Sequence, residues 1–399
     1  FGSEAPFALK MGATRSHAEG IAAPLASLRQ RLQFAYAPRG AKLRVGYLSP
    51  DFRGHSAGRL FQTLLAAHDR SRIELFGYSL SHTGDATTDW FAGKFDAFRD
   101  LSEASHEEAA VAIHKDGVNI LVDLASHTRG ARPEILALQP APVQCHYLGY
   151  NLPLGSDWCP YLIGDPVSFA DEAMRAALPA RLVMLRGPWA AMDAGTPPVP
   201  MSRAEAGLPD NAFVLANFSA AQKVEPVLWG VWMRILTAVP NAVLWMLDGG
   251  EAVRRNLLRE AEAAGIQPER IVWAQPLPHA EHVRRLACAD VSLDTYHYKG
   301  GATALECLAA GVPVVTLRNP GPAWGASLTV AAGVPETVAE DAAEYEHLTI
   351  ALGRDPRAVA RLKTKLREAR ATAPLFQPAA WARDVEAAFE TMWAEYAAS

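Results

Sequence analysis

Ala289-Asp290-Val291-Ser292-Leu293-Asp294-Thr295-Tyr296-His297-Tyr298-Lys299-Gly300-Gly301-Ala302-Thr303-Ala304-Leu305-Glu306 reads as a strand, a loop and the start of a helix. The apolar run is short and ends at Asp294. Gly300 and Gly301 then open a run of small residues that predicts a helix over 300–310, stopped by Gly311. A short apolar strand that feeds a glycine-led helix is half of a βαβ unit. The N–H groups at such a helix start have no partner within the helix, and glycines let a phosphate come close. Glu306 follows in the first turns, where its carboxylate could accept hydrogen bonds from ribose hydroxyls. The same residues also fit an ordinary βα turn with a solvated glutamate. Residue types alone leave both readings open.

Working outward, the alternation repeats in both directions. In the C-terminal half, strands are expected over 213–218, 242–247, 271–274, 290–293 and 313–317, with helices over 225–238 and 252–264 and Gly265 as a C-cap. In the N-terminal half, strands are expected over 43–48, 73–78, 118–123, 143–148 and 182–185, with helices over 58–67 and 106–115. The strands are apolar nearly throughout, as in sheets covered on both faces. Between the halves, Arg186-Gly187-Pro188-Trp189 leads into Thr196-Pro197-Pro198-Val199-Pro200 without any period, which predicts a linker. Trp381, Val385, Phe389, Met392 and Tyr396 recur every three or four residues and predict a terminal amphipathic helix that packs on one or both domains. The fold class is therefore α/β, with two doubly wound, Rossmann-like domains facing a cleft. The divisions are a helical lead-in (1–40), a first domain (41–186), a Pro/Gly-rich linker (187–211), a second domain (212–378) and the terminal helix (379–399). Ligands of such sheets bind beyond the carboxyl ends of the strands.

Composition narrows the function classes. The 399 residues carry a formal charge of −5, so no global basic field recruits nucleic acid. No apolar run is long enough to span a membrane, so no membrane partner is expected. The four cysteines form no C-x-x-C pair, which fits a reducing, cytoplasmic location. The chain opens on Phe1 without signal-peptide features and without Met, so a preceding segment is expected. There is no Asp-x-Asp, no G-x-x-x-x-G-K-[ST] and no H-E-x-x-H, and the chain is read without a serine-hydrolase elbow. No metal or cofactor is expected.

Three further groups could carry chemistry. Asp51 and His55, in Ser49-Pro50-Asp51-Phe52-Arg53-Gly54-His55-Ser56, follow the first strand and suit either acid–base work or capping of the next helix. Lys223 follows the strand at 213–218, where an ammonium can reach a diphosphate. His282 and Arg285 are three apart and share a helix face. The histidine could stack on a base and the arginine could pair with a phosphate. Each of these also fits an ordinary charged surface.

Taken together, these segments resemble the catalytic region of the O-GlcNAc transferases, family 41 glycosyltransferases. Stretches that carry the resemblance, in order, include Leu43-Arg44-Val45-Gly46-Tyr47, Ser49-Pro50-Asp51-Phe52-Arg53-Gly54-His55, Gln139-Pro140-Ala141-Pro142-Val143-Gln144, Val239-Pro240-Asn241-Ala242-Val243-Leu244-Trp245, Glu281-His282-Val283-Arg284-Arg285 and Ala289–Thr295 as quoted above. The resemblance implies a GT-B fold and inverting, metal-independent transfer of a sugar, GlcNAc from UDP-GlcNAc first, to Ser or Thr hydroxyls of a protein or peptide. It puts the acceptor side in the first domain and the sugar-nucleotide side in the second. It implies that Lys223 contacts the diphosphate, His282 the base with Arg285 beside it, and Gly149 the sugar, with Asp51 and His55 as active-site residues. Gly300, Gly301, Ala302, Thr303, Glu306 and Gln222 complete the implied donor site. It also implies tetratricopeptide repeats ahead of this region.

The chain departs from the family pattern at several of these places. Gly149-Tyr150-Asn151-Leu152-Pro153-Leu154-Gly155 replaces Gly-Tyr-Pro-Gly-Thr-Ser-Gly, and Gly301-Ala302-Thr303 replaces His-Thr-Thr. Glu306 stands for Asp, Gln222 for Tyr, Phe7 for His, and Ala323-Trp324 for an arginine region. The alternatives are a SPINDLY-like protein O-fucosyltransferase using GDP-fucose, which also carries a Glu near this position, and a transferase using another sugar nucleotide. A transferase acting on small molecules or lipids is a weaker alternative. A catalytically inactive nucleotide-binding module is the alternative of another class.

Overall fold

In the computed structural model, which describes residues 5–36, 38–82, 84–150, 152–195 and 198–398, the apolar run after Lys42 forms β1 (Leu43–Ser49), buried everywhere except Arg44. Six more strands follow: β2 (Ile73–Ser79), β3 (Ala97–Asp100), β4 (Ile120–Asp123), β5 (Val143–His146), β6 (Tyr161–Gly164) and β7 (Arg181–Met184). They form one parallel sheet in the order β3-β2-β1-β4-β5-β6-β7. Its order reverses between β1 and β4, where Val45 pairs with Ile120. The reversal opens a crevice beyond the carboxyl ends of β1 and β4.

The second sheet repeats the plan. Its strands are β8 (Phe213–Asn217), β9 (Ala242–Leu247), β10 (Ile271–Ala274), β11 (Val291–Leu293), β12 (Val314–Leu317) and β13 (Val338–Ala339), in the order β10-β9-β8-β11-β12-β13. All pairs are parallel, and the reversal falls between β8 and β11, with Ser292 opposite Ala216. Two Rossmann-like sheets are thus present, as the alternation predicts. β3, β6 and β13 escape the sequence reading. β3 is an edge strand ending in charge, β6 has four residues and β13 has two, too few to show a period. The strand expected over 143–148 stops at His146, because Leu148 turns left-handed with φ +80.

The chain divides into two compact units, Ala5–Ala190 with Pro378–Ser399, and Ala191–Gln377. This redraws three expected boundaries. The lead-in is helical, over Phe7–Ala22 and Ala26–Leu32, yet it belongs to the first unit: Ala18, Ile21, Leu25 and Leu28 share a core with Leu48, Ile113 and Leu136. The start of the expected linker is also part of that unit. Gly187 N donates to Asp384 Oδ2 at 2.9 Å, and Trp189 O accepts from Tyr147 Oη. Its far end is anchored in the second unit by Arg203, which donates to Ala212 O and pairs with Asp290 at 2.8 Å. Thr196 and Pro197 of the linker lie outside the described residues, as do Phe1 to Glu4.

The terminal helix, Pro378–Ala397, packs in the first unit with Trp381, Val385, Phe389 and Met392 buried and Tyr396 exposed. It is tied there by Trp381 Nε1, which donates to Tyr147 Oη at 2.7 Å. A second tie is a chain of buried polar groups. His68 Nδ1 donates to Glu386 Oε1 at 2.9 Å, so its Nε2 accepts from Tyr47 Oη at 2.7 Å. Asp69 N also donates to Glu386 Oε1, while Glu386 Oε2 has no hydrogen-bond partner among the described residues. Removing the imidazole leaves a buried carboxylate with one backbone donor. His68→Ala should therefore cost about 3–5 kcal/mol, read as a lowered unfolding midpoint in urea; an unchanged midpoint would show that the helix is held by its apolar stripe alone.

Candidate functional site

The residues singled out in sequence gather at the carboxyl ends of strands in each unit. In the first unit, the turn after β1 is closed by Asp51 N donating to Ser49 Oγ at 2.9 Å. The Asp51 side chain is 8% exposed and faces two basic groups, Arg53 Nη2 at 3.2 Å and His55 Nδ1 at 3.2 Å. His55 is the N-cap of the helix Ser56–Ala67, and Ala57 N donates to its Nδ1 at 3.3 Å. Of the two roles left open for this pair, the geometry shows the capping one, taken by His55. Its ring is 44% exposed, so its far nitrogen is reachable.

β5 delivers the other part of this half. A Cβ on Gly149 would lie 1.6 Å from Leu124 O, so only glycine fits against the end of β4. The turn that carries it is held by His146, whose Nδ1 lies 3.0 Å from Asp123 Oδ2 and whose Nε2 donates to Tyr150 O. Asp123 also accepts from Ala125 N and Ser126 N. Asp51, Leu124, Leu148 and Gly149 line one small recess. Asn151, one of the departures from the family pattern, lies outside the described residues.

In the second unit the ends of β8 and β11 are laced together by Asn217 Nδ2, which donates to Leu293 O at 2.7 Å. The chain after β8 makes a single 3-10 turn, Ala221–Lys223, with Gln222 exposed and Lys223 half-buried. Lys223 Nζ sits 4.2 Å from the centroid of the Tyr298 ring. Burial pulls its pKa below the ordinary lysine value, and the charge of Asp294 opposes that pull.

Asp294 shapes the loop into which this lysine faces. The carboxylate is buried and accepts from Thr295 N at 2.8 Å, Gly300 N at 2.6 Å and Thr316 Oγ1 at 2.7 Å. Burial raises its pKa, against those hydrogen bonds and Lys299. The loop then enters the helix Ala302–Ala309, with Gly301 at the N-cap and no side-chain cap. The first backbone N–H groups of that helix, from Ala302 and Thr303, have no acceptor within the helix, the arrangement that suits an anion.

Beside this helix runs His279–Leu286. His282 Nε2 lies 3.8 Å from Glu306 Oε2, and His279 Nδ1 lies 3.7 Å from Glu306 Oε1. Arg285 is placed differently from its sequence reading. It is 3% exposed, donates to Gln275 O at 2.5 Å and to His282 Nδ1 at 3.0 Å, and lies over Phe218 and Trp245. Its guanidinium is spent on orienting His282 rather than on reaching a phosphate. Because His282 Nδ1 accepts from Arg285, the ring carries its proton on Nε2, toward Glu306.

The sequence reading missed Asp294 and Tyr298 as organising residues, although both stand in the stretch it began from. It also passed over Gly54-His55-Ser56-Ala57-Gly58, which spells the G-x-S-x-G pattern. The structure removes the elbow reading, since Ser56 opens a helix seven residues beyond the end of β1 instead of sitting at a sharp strand-to-helix turn. Among the described residues no group of three His, Cys, Asp or Glu side chains could hold a metal ion, and no helix is long and apolar enough to cross a membrane. A cleft of about 460 Å³ among Arg15, Arg29, Gln139, Asp157 and Trp158 contains none of the candidate residues.

Residues 24–182 and 191–385 match the model of glycosyl transferase family 41. A probable UDP-N-acetylglucosamine–peptide N-acetylglucosaminyltransferase SEC of Arabidopsis thaliana is 32% identical over 364 residues, 88% of this chain and 37% of the relative. A probable enzyme of the same description, SPINDLY of Petunia hybrida, is 31% identical over 89% of this chain and 39% of its own length. The chain thus spans about two fifths of the curated relatives it matches. A solved mutant of the Thermobaculum terrenum O-GlcNAc transferase superposes with a TM-score of 0.82 at 31% identity, over 89% of this chain and 68% of that one. The GT-B expectation for the fold holds.

Gly149 offers a test of this geometry. Gly149→Ala must push its turn off Leu124 O, at a cost of about 1–3 kcal/mol, whereas Gly12→Ala, in open helix surface, should be neutral or slightly stabilising. Equal unfolding midpoints for the two variants would contradict the packing described at the end of β4.

Proposed function

The chain belongs to glycosyl transferase family 41, and we propose that it catalyses inverting, metal-independent transfer of a sugar from a nucleotide diphosphate to a Ser or Thr hydroxyl of a protein or peptide, with UDP-GlcNAc as first donor. The observation that carries this reading is Lys223: a half-buried ammonium at the end of β8, beside a glycine-led helix start at the end of β11. An ammonium and free N–H groups together suit the charge that collects on a departing diphosphate. His282, proton toward Glu306, would hold the nucleoside end, with Arg285 acting through it.

In the reaction the acceptor oxygen bonds to the anomeric carbon while the bond from that carbon to the diphosphate oxygen breaks. The electron pair goes to the diphosphate, where Lys223 and the N–H groups of Ala302 and Thr303 stabilise it. The hydroxyl proton passes to a base, for which the Asp51 carboxylate is the candidate, with His55 beside it. A cytoplasmic setting fits the four cysteines, all free and buried.

A second donor deserves a place because of one residue. Glu306 stands where the best-known O-GlcNAc transferases carry Asp, and the Petunia SPINDLY relative, at 31% identity, is nearly as similar as SEC at 32%. Melting the protein with UDP-GlcNAc, UDP-glucose, GDP-fucose and CMP-linked sugars separates the readings. A donor at a hundred times its Kd should stabilise the fold by about 2.7 kcal/mol. UDP-GlcNAc should give the largest shift; a shift with GDP-fucose alone would replace the GlcNAc reading by fucose transfer. Binding without label transfer to any protein in a lysate would favour an inactive nucleotide-binding module.

The lysine gives the sharper test. Lys223→Ala should lower kcat by about 10²–10³ and leave the unfolding midpoint near that of the wild type. Because burial lowers the pKa of Lys223, the wild-type rate should fall at alkaline pH below the range of a free lysine, as the ammonium is lost. Undiminished turnover by Lys223→Ala would remove Lys223 from the reaction.

A further inference from the structure

Lys223 and the loop that faces it are connected by more than one contact. Besides the approach of Nζ to the Tyr298 ring, Glu225, two residues on, accepts from His297 N at 2.8 Å and from His297 Nδ1. Both partners of that pair are close to buried, at 9% and 11% exposure. Tyr298 itself is set from behind: its carbonyl accepts from Thr295 Oγ1 at 2.6 Å, inside the loop that Asp294 closes. The turn after β8 and the loop after β11 are thus held in one register, and the aromatic face is brought under the ammonium.

An ammonium at 4.2 Å from a ring centroid is attracted by the negative face of the ring, and the attraction grows when water is excluded. Without such a surface, a lysine of four flexible carbons would sample many rotamers before a diphosphate arrived. Asp294 adds a charge of opposite sign, but its carboxylate is engaged by Thr295 N, Gly300 N and Thr316 Oγ1 and lies behind the loop. Lys299, whose charge would compete, turns away to Pro320 O.

We propose that Tyr298 is a positioning residue for Lys223: its ring face holds the ammonium at the donor site before the donor binds. The proposal rests on the role given to Lys223 above, since it assigns Tyr298 an action through that residue. The contact with Lys223 is made by the ring face, which phenylalanine also carries. Phenylalanine should therefore replace tyrosine, whereas an aliphatic side chain of similar size should not.

Two measurements separate this inference from the transferase reading. The first needs no donor. Acylation of Lys223 by acetic anhydride, followed by mass spectrometry and referenced to Lys115, reports how freely the amine is presented. Tyr298→Phe should label like the wild type, while Tyr298→Leu and Tyr298→Met should label about threefold faster or more, each variant first shown to keep the wild-type melting temperature. The two aliphatic variants guard against one of them failing to fold. Equal labelling in all folded variants would overturn the positioning role. The second measurement is kinetic. Tyr298→Phe should keep kcat, and the folded aliphatic variants should lose about tenfold in kcat with little change in donor KM. A loss seen equally in Tyr298→Phe would overturn the proposal and point to the hydroxyl. Changed labelling in a protein that transfers no sugar would leave the positioning role standing and sink the transferase reading instead.

Discussion

The carboxylate of Asp294 draws in the backbone of its own loop, and much of the second unit is arranged around that contraction. Its oxygens are shared by the N–H groups of Thr295 and Gly300 and by the hydroxyl of Thr316 on β12. Its carbonyl accepts from Tyr345 Oη, which in turn accepts from Trp232 Nε1. The neighbouring helix is adapted to it as well: a Cβ on Gly325 would fall 2.1 Å from Asp294 Oδ2. A buried carboxylate is tolerable only with such a set of donors. Once it is in place, Gly300 and Gly301 are turned so that the following helix starts with its N–H groups open, and Tyr298 is carried under Lys223. The departure noted at Ala323-Trp324 lies just before Gly325, in the segment that makes room for this carboxylate.

The first unit solves a similar problem with a different pair. Asp123 ends β4 and binds the backbone of Ala125 and Ser126, while His146 at the end of β5 bridges from Asp123 to Tyr150 O. This bridge spans the turn where Leu148 is left-handed and Gly149 is pressed on Leu124 O. Backbone held in this way forms a fixed surface without a flexible side chain. Asp51, Arg53 and His55 form a compact polar group beyond the end of β1. The parallel is physical: in both sheets a buried acid at a strand end organises the loop that follows it.

Much of this was legible in the residues. The long apolar strands β1, β2, β8 and β9 and the helices between them declare themselves by period, and the glycine-led helix start is visible from Gly300 and Gly301 alone. Short or edge strands such as β3, β6 and β13 are not, because two to four residues carry no periodic signal. Membership of the lead-in and terminal helices in the first unit depends on tertiary burial of Ala18 and Trp381, which a helical stripe cannot assign to one partner. Arg285 shows the same limit at the site: its spacing from His282 was readable, but the burial that turns it into a support for that ring was not. Asp294 and Tyr298 carry no such signal, since their importance lies in the Thr316 hydroxyl and the Lys223 ammonium that face them.

The central claim is that the diphosphate of a sugar nucleotide is held by the second unit, at the loops that follow β8 and β11. Hydrogen–deuterium exchange of the whole chain, with and without a saturating concentration of the sugar nucleotide that binds best, tests it directly. The account predicts slowed exchange in 219–225 and 294–306, with 279–285 following as His282 engages the nucleoside. Slowed exchange confined to the cleft around Arg15, Arg29 and Trp158, with 294–306 unchanged, would contradict it.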